Sequence, residues 1–224
     1  MCAASCNVPK ERMDTRMSVE QKKIWQRLAR FYGDFMKKSD KMYDEIANRT
    51  KPYLKKEMAV LELACGTGQM SYRLAKFVNR WEATDFSPQM IDEAKKKNNS
   101  EQLRFSVRDA TDLHYSDEGF DAVMIANALH IMPNPDKALN EICRVLKSGG
   151  VLLAPTFVHS ESRAYRRWSR LMELVGIRIY HKWTAEEFVR YIEGFGFTVE
   201  KFDVIMNGFI PLCCLIARRK RDTK

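Results

Sequence analysis

The sequence predicts a doubly wound α/β fold: a seven-stranded sheet, mostly parallel, with an antiparallel C-terminal hairpin strand and an N-terminal helical cap. Three observations lead to this prediction. Short apolar runs alternate with helical patterns over residues 59–156, which is typical of a parallel sheet covered by helices on both faces. A glycine-rich turn directly follows the first run, as in Rossmann-like sheets. Two further strand patterns flank Asn207-Gly208, a dipeptide typical of tight hairpin turns.

The whole chain, residues 1–224, is expected to form one domain. A helical pattern runs over residues 19–49, with Gly33 and the Ser39-Asp40 step as candidate breaks. The three expected segments are an N-terminal helical cap, a ligand-binding core, and acceptor-side helices with a terminal hairpin, at residues 1–58, 59–156 and 157–224.

Each element is predicted from its own pattern. Strands are predicted where apolar residues run continuously, and helices where they recur every three to four positions. Ser87 and Pro88 suit the start of one helix, and the Ser-Gly-Gly sequence at 148–150 ends another. The expected strands are 59–63, 82–85, 103–107, 122–126, 151–156, 198–204 and 212–218. The expected helices are 69–79, 88–98, 136–146, 161–176 and one that runs from the capping box at 184–187 to the glycines at 194 and 196.

The net charge of +9 is concentrated at the two ends of the chain. Residues 1–58 carry +6 (14 Lys and Arg against 8 Asp and Glu), residues 59–155 carry −2 (11 against 13), and residues 156–224 carry +5 (13 against 8). One interpretation is solvated helix faces with a basic tail. The other is that the basic segments face an anionic acceptor, a membrane surface in peripheral contact, or nucleic acid.

Targeting and metal-binding signals are absent from the sequence. No apolar run approaches the roughly 20 residues that a membrane span needs, and the first ten residues lack the apolar stretch of a signal peptide. We therefore expect a cytoplasmic protein whose six cysteines are mostly reduced core thiols. The cysteines and the four histidines lack metal-ligand spacing, so no metal site is predicted.

The glycine turn after the first strand predicts a ligand site. Gly66 and Gly68 can adopt backbone conformations that other residues rarely take, and Ala64 is small enough for a ligand to approach closely. Ser71 stands where a dinucleotide fingerprint would have its third glycine. Glu62 also fits poorly beside a pyrophosphate, whereas its carboxylate suits the cationic ammonium group of an amino-acid ligand.

Polar residues follow the next three strands. Asp85 ends the second strand, 17 residues past the turn, where a carboxylate accepts ribose hydroxyls; the alternative is that it caps the following turn. Asp109 follows the third strand, beside Ala110, and can accept a hydrogen bond from an adenine amino group. Asn127 and His130 follow the fourth strand, over the middle of the sheet. Because carboxyl ends of parallel strands share one edge, these residues predict a single site.

Five segments in order and at matching spacing resemble the class I S-adenosylmethionine (SAM)-dependent methyltransferases, specifically the small-molecule branch that includes the ubiquinone/menaquinone-biosynthesis methyltransferases. The similarity covers about residues 60–156. The segments are Leu61-Glu62-Leu63-Ala64-Cys65-Gly66-Thr67-Gly68, Asp85-Phe86-Ser87-Pro88-Gln89-Met90, Arg108-Asp109-Ala110, Phe120-Asp121-Ala122-Val123 and Glu141-Ile142-Cys143-Arg144-Val145-Leu146-Lys147-Ser148-Gly149-Gly150.

The resemblance implies SAM as cofactor and S-adenosylhomocysteine (SAH) as product. Glu62 would lie at the methionine end, Asp85 on the ribose, and Phe86 and Met90 on the face of the adenine. Ala64 replaces the usual first glycine of the family. The cofactor-binding residues expected together are Glu62, Ala64, Gly66, Gly68, Asp85, Phe86, Met90, Asp109, Ala110 and Asn127, with Tyr32 from the cap.

Several residues are candidates for the region around the sulfonium. Tyr32 and Tyr43 stand where an aromatic ring would contact it by cation–π attraction, with core packing as the alternative for Tyr43. Methyl transfer is an in-line displacement, so alignment supplies most of the catalysis, roughly 7–11 kcal/mol. A base is needed only if the acceptor loses a proton. His130 is the first candidate base, with a pocket-wall role as the alternative, and His159 is the second.

The acceptor is expected to be small and either hydrophobic or anionic, or a lipid. Aromatic residues after the fifth strand alternate with arginines, which also permits RNA because both types stack on bases. An amino-methylating motif for DNA is missing after the fourth strand, and nucleic acid is the less favoured partner. A non-catalytic SAM-binding regulatory subunit and an NAD-linked oxidoreductase are further alternatives. The expected lining is Phe35, Tyr165, Trp168, Met172, Tyr180 and Trp183, with Arg163, Arg166, Arg167 and Arg170.

Overall fold

A computed structural model describes residues 40–98, 100–160, 162–174 and 176–221. Most of the helical pattern predicted at 19–49, including Tyr32 and Phe35, lies outside the described residues. Helix α1 spans Asp40–Thr50 and buries Met42 and Ile46 against the rest of the protein.

Seven strands form one sheet within the described residues. They are β1 (Ala59–Leu63), β2 (Arg80–Asp85), β3 (Leu103–Val107), β4 (Phe120–Ile125), β5 (Leu146–Phe157), β6 (Phe197–Asn207) and β7 (Ile210–Arg219). Their order is β3-β2-β1-β4-β5-β7-β6; β1 to β5 are parallel, and β7 pairs antiparallel with both β5 and β6. The predicted seven-stranded, mostly parallel sheet with an antiparallel C-terminal hairpin is confirmed.

Five more helices connect the strands. They are α2 (Gln69–Leu74), α3 (Pro88–Lys95), α4 (Pro135–Val145), α5 (Arg163–Leu174) and α6 (Ala185–Glu193). Ser87 caps α3 by accepting a hydrogen bond from the Met90 backbone N–H, as its position predicts. The predicted capping box at the start of α6 is present, with Thr184 and Glu187 each bonding the backbone of the other.

Some predicted boundaries are wrong. The helix expected over 69–79 ends at Leu74 and continues only as a 3₁₀ turn (Ala75–Phe77), because β2 begins at Arg80 rather than at residue 82. The fifth strand begins at Leu146 rather than at residue 151, so the two glycines at 149 and 150 lie inside it. They occupy the stretch where the β4–β5 register shifts, which explains how a glycine pair belongs to a strand.

The sheet is covered on both faces, which defines a doubly wound fold. On one face α1, α2 and α3 bury apolar side chains such as Ile46, Leu74 and Ile91. On the other, α4 and α6 bury side chains such as Ile142 and Phe188. Removal of this apolar surface from water is the main stabilising contribution. Among the described helices, none has the length and apolar character that crossing a membrane requires.

The strand order places the site. Chain connections reverse direction between β1 and β4, and in such sheets a crevice forms outside the carboxyl ends of the strands at that point. Because β6 runs parallel to β5, the tip of the β6–β7 hairpin lies at this same carboxyl edge.

Candidate active site

A pocket opens at the carboxyl ends of β1, β2 and β4, next to the point where the strand order reverses. Seven of the residues predicted at the cofactor line it together with Tyr43: Glu62, Ala64, Gly66, Asp85, Phe86, Met90 and Asn127. Its other lining residues are Cys65, Gln69, Met70, Ala126, Ala128, Ile131 and Met132.

The turn after β1 uses left-handed backbone at three positions. Gly66 and Gly68 have φ values of 54° and 83°, which glycine adopts without steric cost. Ala64 also has a positive φ, 51°, where a side chain costs on the order of 1–2 kcal/mol. The replacement of glycine by Ala64 therefore stores backbone strain at the pocket wall.

Glu62 is buried beneath this turn with its carboxylate held on one side. Ser71 Oγ and Trp81 Nε1 both donate to Glu62 Oε2, at 2.5 and 2.7 Å. Among the described residues, no group donates a hydrogen bond to Oε1, so that oxygen can accept one from a ligand in the pocket. Burial raises the pKa of Glu62 to about 7, the neighbouring Asp85 carboxylate adds to this, and the two hydrogen bonds oppose it.

The raised pKa predicts a pH-dependent affinity if Glu62 binds the ammonium group of SAH, as the resemblance in the sequence implies. Below about pH 7 the free protein holds Glu62 protonated, whereas an ammonium ligand requires the carboxylate. Affinity should therefore fall as pH drops from 7.5 to 6, approaching about tenfold per unit. Glu62→Gln should bind SAH more weakly at pH 7.5 and with a flatter profile, which keeps only the shallow decrease near pH 6 that protonation of Asp85 would cause. Calorimetric titrations at several pH values measure both; an equally steep profile in the variant would assign the titration to another group.

Asp85 joins the turn to the next helix. Its Oδ2 accepts from the Gly66 backbone N–H and its Oδ1 from the Ser87 backbone N–H, each at 2.9 Å. Its carboxylate also lines the pocket, and burial raises its pKa to about 6. Each oxygen retains a lone pair. Asp85 thus caps the turn, as one of the two interpretations predicts, and its two oxygens can still accept hydrogen bonds from ribose hydroxyls.

Unpartnered polar atoms support a polar ligand in the pocket. Both amide atoms of Asn127 and the hydroxyl of Thr67 are buried without a hydrogen-bond partner among the described residues. Asn127 also has a positive φ of 54° and donates its backbone N–H to Pro155 O at 2.7 Å. Buried polar groups left without partners are costly, so an amide held in this way suits a ligand with donors and acceptors.

The residues after β3 lie beside the pocket rather than in its lining. Asp109 is exposed and its Oδ1 accepts from the backbone N–H and hydroxyl of Thr111, while Ala110 is buried in the core. The loop is joined to the site because the Arg108 N–H donates to the Asp85 carbonyl at 3.0 Å. Contact of Asp109 and Ala110 with an adenine stays a prediction.

His130 is buried and does not line the pocket; the next two residues, Ile131 and Met132, do. Its Nδ1 lies 3.0 Å from Thr156 Oγ1, and burial lowers its pKa to about 3. Its carbonyl accepts from the backbone N–H groups of residues 180 and 181, at 3.0 and 3.1 Å. His130 thus lies behind the pocket wall, where its carbonyl anchors the segment that returns from α5. A role as the base stays a prediction.

Two further histidines contact Trp183, next to this anchor. His159 donates its backbone N–H to Trp183 O, and the His181 ring stacks on Trp183 with centroids 4.6 Å apart. His159 Nδ1 and His181 Nε2 are buried without a hydrogen-bond partner among the described residues. Sequence reasoning missed His181, because only the chain's return to His130 brings it here.

Other site residues also escaped the sequence analysis. Ser71 is notable there only as the missing glycine of a dinucleotide fingerprint, yet it donates to Glu62. Trp81 comes from the neighbouring strand, and Thr67 is an unassigned position within the turn. The missing third glycine is the one signal that could have pointed to a polar group beneath the turn.

The cap contributes Tyr43 to the pocket. Its ring is buried, lines the pocket, and has the Arg73 guanidinium 5.6 Å from its centroid. Tyr32 lies outside the described residues. On the acceptor side, Tyr165 is buried, whereas the arginines of α5 point away from the core and are exposed.

The geometry defines a class I methyltransferase-type domain, and comparisons with known proteins agree. A family model described as a methyltransferase domain matches residues 61–154. The chain is 31% identical over 167 residues to the ubiquinone/menaquinone biosynthesis C-methyltransferase of Zymomonas mobilis, covering 68% of this chain and 67% of that protein. It is 34% identical over 134 residues to the demethylmenaquinone methyltransferase of Clavibacter sepedonicus, covering 59% of this chain and 51% of that protein. The chain belongs to the class I SAM-dependent methyltransferase family.

The similarities cover different shares of the proteins compared. The chain spans about half of the Clavibacter protein, and 41% of a demethylmenaquinone methyltransferase from Leptospira interrogans. In structure, a Haloferax volcanii putative methyltransferase solved in complex with the Trm112 methyltransferase activator superposes with a TM-score of 0.76 at 20% identity, over 88% of this chain and 98% of that one. The [4+2]-cyclase SpnF superposes with a TM-score of 0.67 at 24% identity, over 82% and 81%. These two likenesses show the fold.

Proposed function

We propose that this chain binds SAM in the pocket at the β1–β4 edge and transfers its methyl group to a small apolar acceptor. The observation that carries the proposal is the combination of Glu62, Asp85 and the unpartnered Asn127 amide around one pocket. A carboxylate for an ammonium, a carboxylate for hydroxyls and an amide for a polar end together match an amino-acid nucleoside.

The residues present fit SAM from end to end. Glu62 and the turn 64–68 would hold the methionine end, Asp85 the ribose, and Phe86 with Met90 the adenine face. When bound, SAM supplies a methyl group on a sulfonium. Tyr43 presents an aromatic ring at the pocket wall, which attracts a cation.

The acceptor is proposed from the names of the relatives and from the chemistry of the pocket surroundings. The relatives are named as quinone-biosynthesis methyltransferases, one of them specifically a C-methyltransferase. We propose a ring carbon of a quinol-type acceptor, which must lose a proton when its carbon gains a methyl group. His159 Nδ1, which is buried and without a hydrogen-bond partner among the described residues, is the proposed proton acceptor.

The two candidate histidines should respond differently to replacement. His130→Ala should lose folding stability, roughly 1–3 kcal/mol, because it removes the partner of Thr156. His159→Ala should lower the methylation rate by about 10²-fold or more at unchanged stability, as loss of a general base does. Thermal melts, SAH titrations and single-turnover rates separate the effects. If only His130→Ala lowered the methylation rate, with its SAH affinity unchanged, His130 rather than His159 would be the base.

The function is tested with SAM that carries a labelled methyl group. Purified protein is incubated with it and either a reduced short-chain demethylated naphthoquinol or a protein-free cell extract that retains RNA and lipids. Label in the quinol ring, or in the organic-soluble fraction of the extract, supports the proposal. Label that follows RNA overturns the acceptor class. SAH binding without transfer to any fraction favours a regulatory role, and absence of SAH binding, while NAD binds, rejects the cofactor.

A further inference from the structure

We propose that the exposed side of α5 is a docking face for an anionic lipid bilayer. The docking face consists of four arginines and two leucines: Arg163, Arg166, Arg167, Arg170, Leu171 and Leu174. Docking does not require methyl transfer, so it stands or falls separately from the proposed function.

Helix α5 is amphipathic, but its exposed side carries aliphatic as well as charged side chains. At about 100° per residue, five residues of the docking face fall on the side opposite the buried Tyr165 and Ser169, and the exposed Arg166 lies at its flank. The side chains of this face include two large aliphatic groups in water: Leu171 is 54% exposed and Leu174 is 83% exposed. A helix that buries one side in the protein normally presents only polar groups on the other.

The charge of the docking face is uncompensated. Among the described residues, none of its four arginines forms an ion pair, and Glu173 on the same helix lies 3.9 Å from Lys182 instead. Some arginines elsewhere do form ion pairs, for example Arg73 with Asp40 and Asp44. Four free guanidinium groups beside exposed leucines fit an anionic headgroup layer above acyl chains.

The docking face lies at the pocket edge of the sheet. The α5 segment leaves this edge at Phe157, where β5 ends, and returns to it where the Tyr180 N–H donates to His130 O. The hairpin tip reaches the same edge, because the Val158 N–H donates to Pro211 O. Next to the tip, Met206 and Phe209 are also exposed, by 63% and 45%. A bilayer docked here would lie near the same edge of the sheet as the pocket.

The leucines distinguish a bilayer from nucleic acid. RNA-binding surfaces combine cations with aromatic rings that stack on bases, and aliphatic side chains gain little from such contacts. Leu171 and Leu174 gain instead from insertion at the headgroup–acyl boundary. The observations therefore favour lipid.

The test is co-sedimentation of the full chain with vesicles of phosphatidylcholine, with and without phosphatidylglycerol. One variant carries Arg166→Gln, Arg167→Gln and Arg170→Gln; a second carries Leu171→Ser and Leu174→Ser. The matched control, Lys95→Gln, Lys96→Gln and Lys97→Gln, removes the same number of charges at the exposed end of α3, toward the opposite edge. Thermal melts and SAH titrations confirm that each variant is folded.

We expect binding only to the anionic vesicles, weakening with salt. The arginine variant should bind roughly 100-fold more weakly, because each arginine near an anionic surface contributes on the order of fivefold. The leucine variant should bind at least about tenfold more weakly, and the lysine control should resemble the wild type. Three results would overturn the proposal: no vesicle binding by the wild type, binding insensitive to the leucines, or arginine-dependent binding to an RNA oligonucleotide without binding to vesicles.

Discussion

Asp85→Ala is expected to lower the affinity for SAH by at least about 100-fold. The carboxylate lines the pocket at the end of β2, with each oxygen bound to a single backbone N–H and able to accept a ligand hydroxyl. Hydrogen bonds to a charged group contribute about 1.5–3 kcal/mol each, and two would be lost. Isothermal titration with SAH at pH 7.5 measures the change.

The ligand itself provides the control for this variant, because Asp85 also holds the backbone of Gly66 and Ser87. The wild type should discriminate strongly between SAH and its 2′,3′-dideoxy analogue, whereas Asp85→Ala should bind the two alike. If the variant weakened both ligands equally and kept the discrimination, Asp85 would serve the turn alone.

Gly68→Ala is expected to cost about 2–5 kcal/mol of folding stability. Gly68 has a φ of 83°, which costs a residue with a side chain on the order of 1–2 kcal/mol. A Cβ there would also lie 2.8 Å from Tyr72 Cε2 and 3.1 Å from Phe105 Cζ, and overpacking costs about 1–3 kcal/mol. The Tyr72 ring has little freedom to move, because its hydroxyl donates to the Ala94 carbonyl. Urea denaturation measures the loss.

Gly208→Ala is the matched control for the steric part. Gly208 also has a positive φ, 64°, but a Cβ there would meet nothing within 4 Å. It should lose only the backbone contribution, roughly 1–2 kcal/mol. Equal losses at the two glycines would show that the Tyr72 ring yields to the added methyl group.

Local patterns were sufficient for the order and type of the elements. Ser87-Pro88 and the capping box at Thr184 act within one helical turn, so their effects are legible in a few consecutive residues. The glycine turn after β1 and the acids that end the strands are equally local. Topology then brings Glu62 and Asp85 to one edge, because parallel strands share a carboxyl end. The family resemblance added the identity of the cofactor.

The partners of the site residues depend on distant parts of the chain. Trp81 donates to Glu62 across a strand pair, and His130 receives the segment at 180–181 through its carbonyl. The glycines at 149 and 150 show the same limit, since they belong to a strand because Leu146 and Val151 on either side of them pair with β4. The spacing of apolar residues in the sequence cannot predict such contacts, because they form only when the strands assemble into the sheet.

By itself, the sequence determined the doubly wound sheet, the glycine turn and the two acids that face the pocket, because periodicity, capping and strand ends are local properties. Only the tertiary structure decided that His130 is enclosed and neutral, since burial, which lowers its pKa to about 3, depends on everything packed around it. It also decided that the arginines of α5 lie unpaired beside exposed leucines, among the residues that the structure describes. Exposure and charge pairing are properties of the folded surface, to which distant segments contribute.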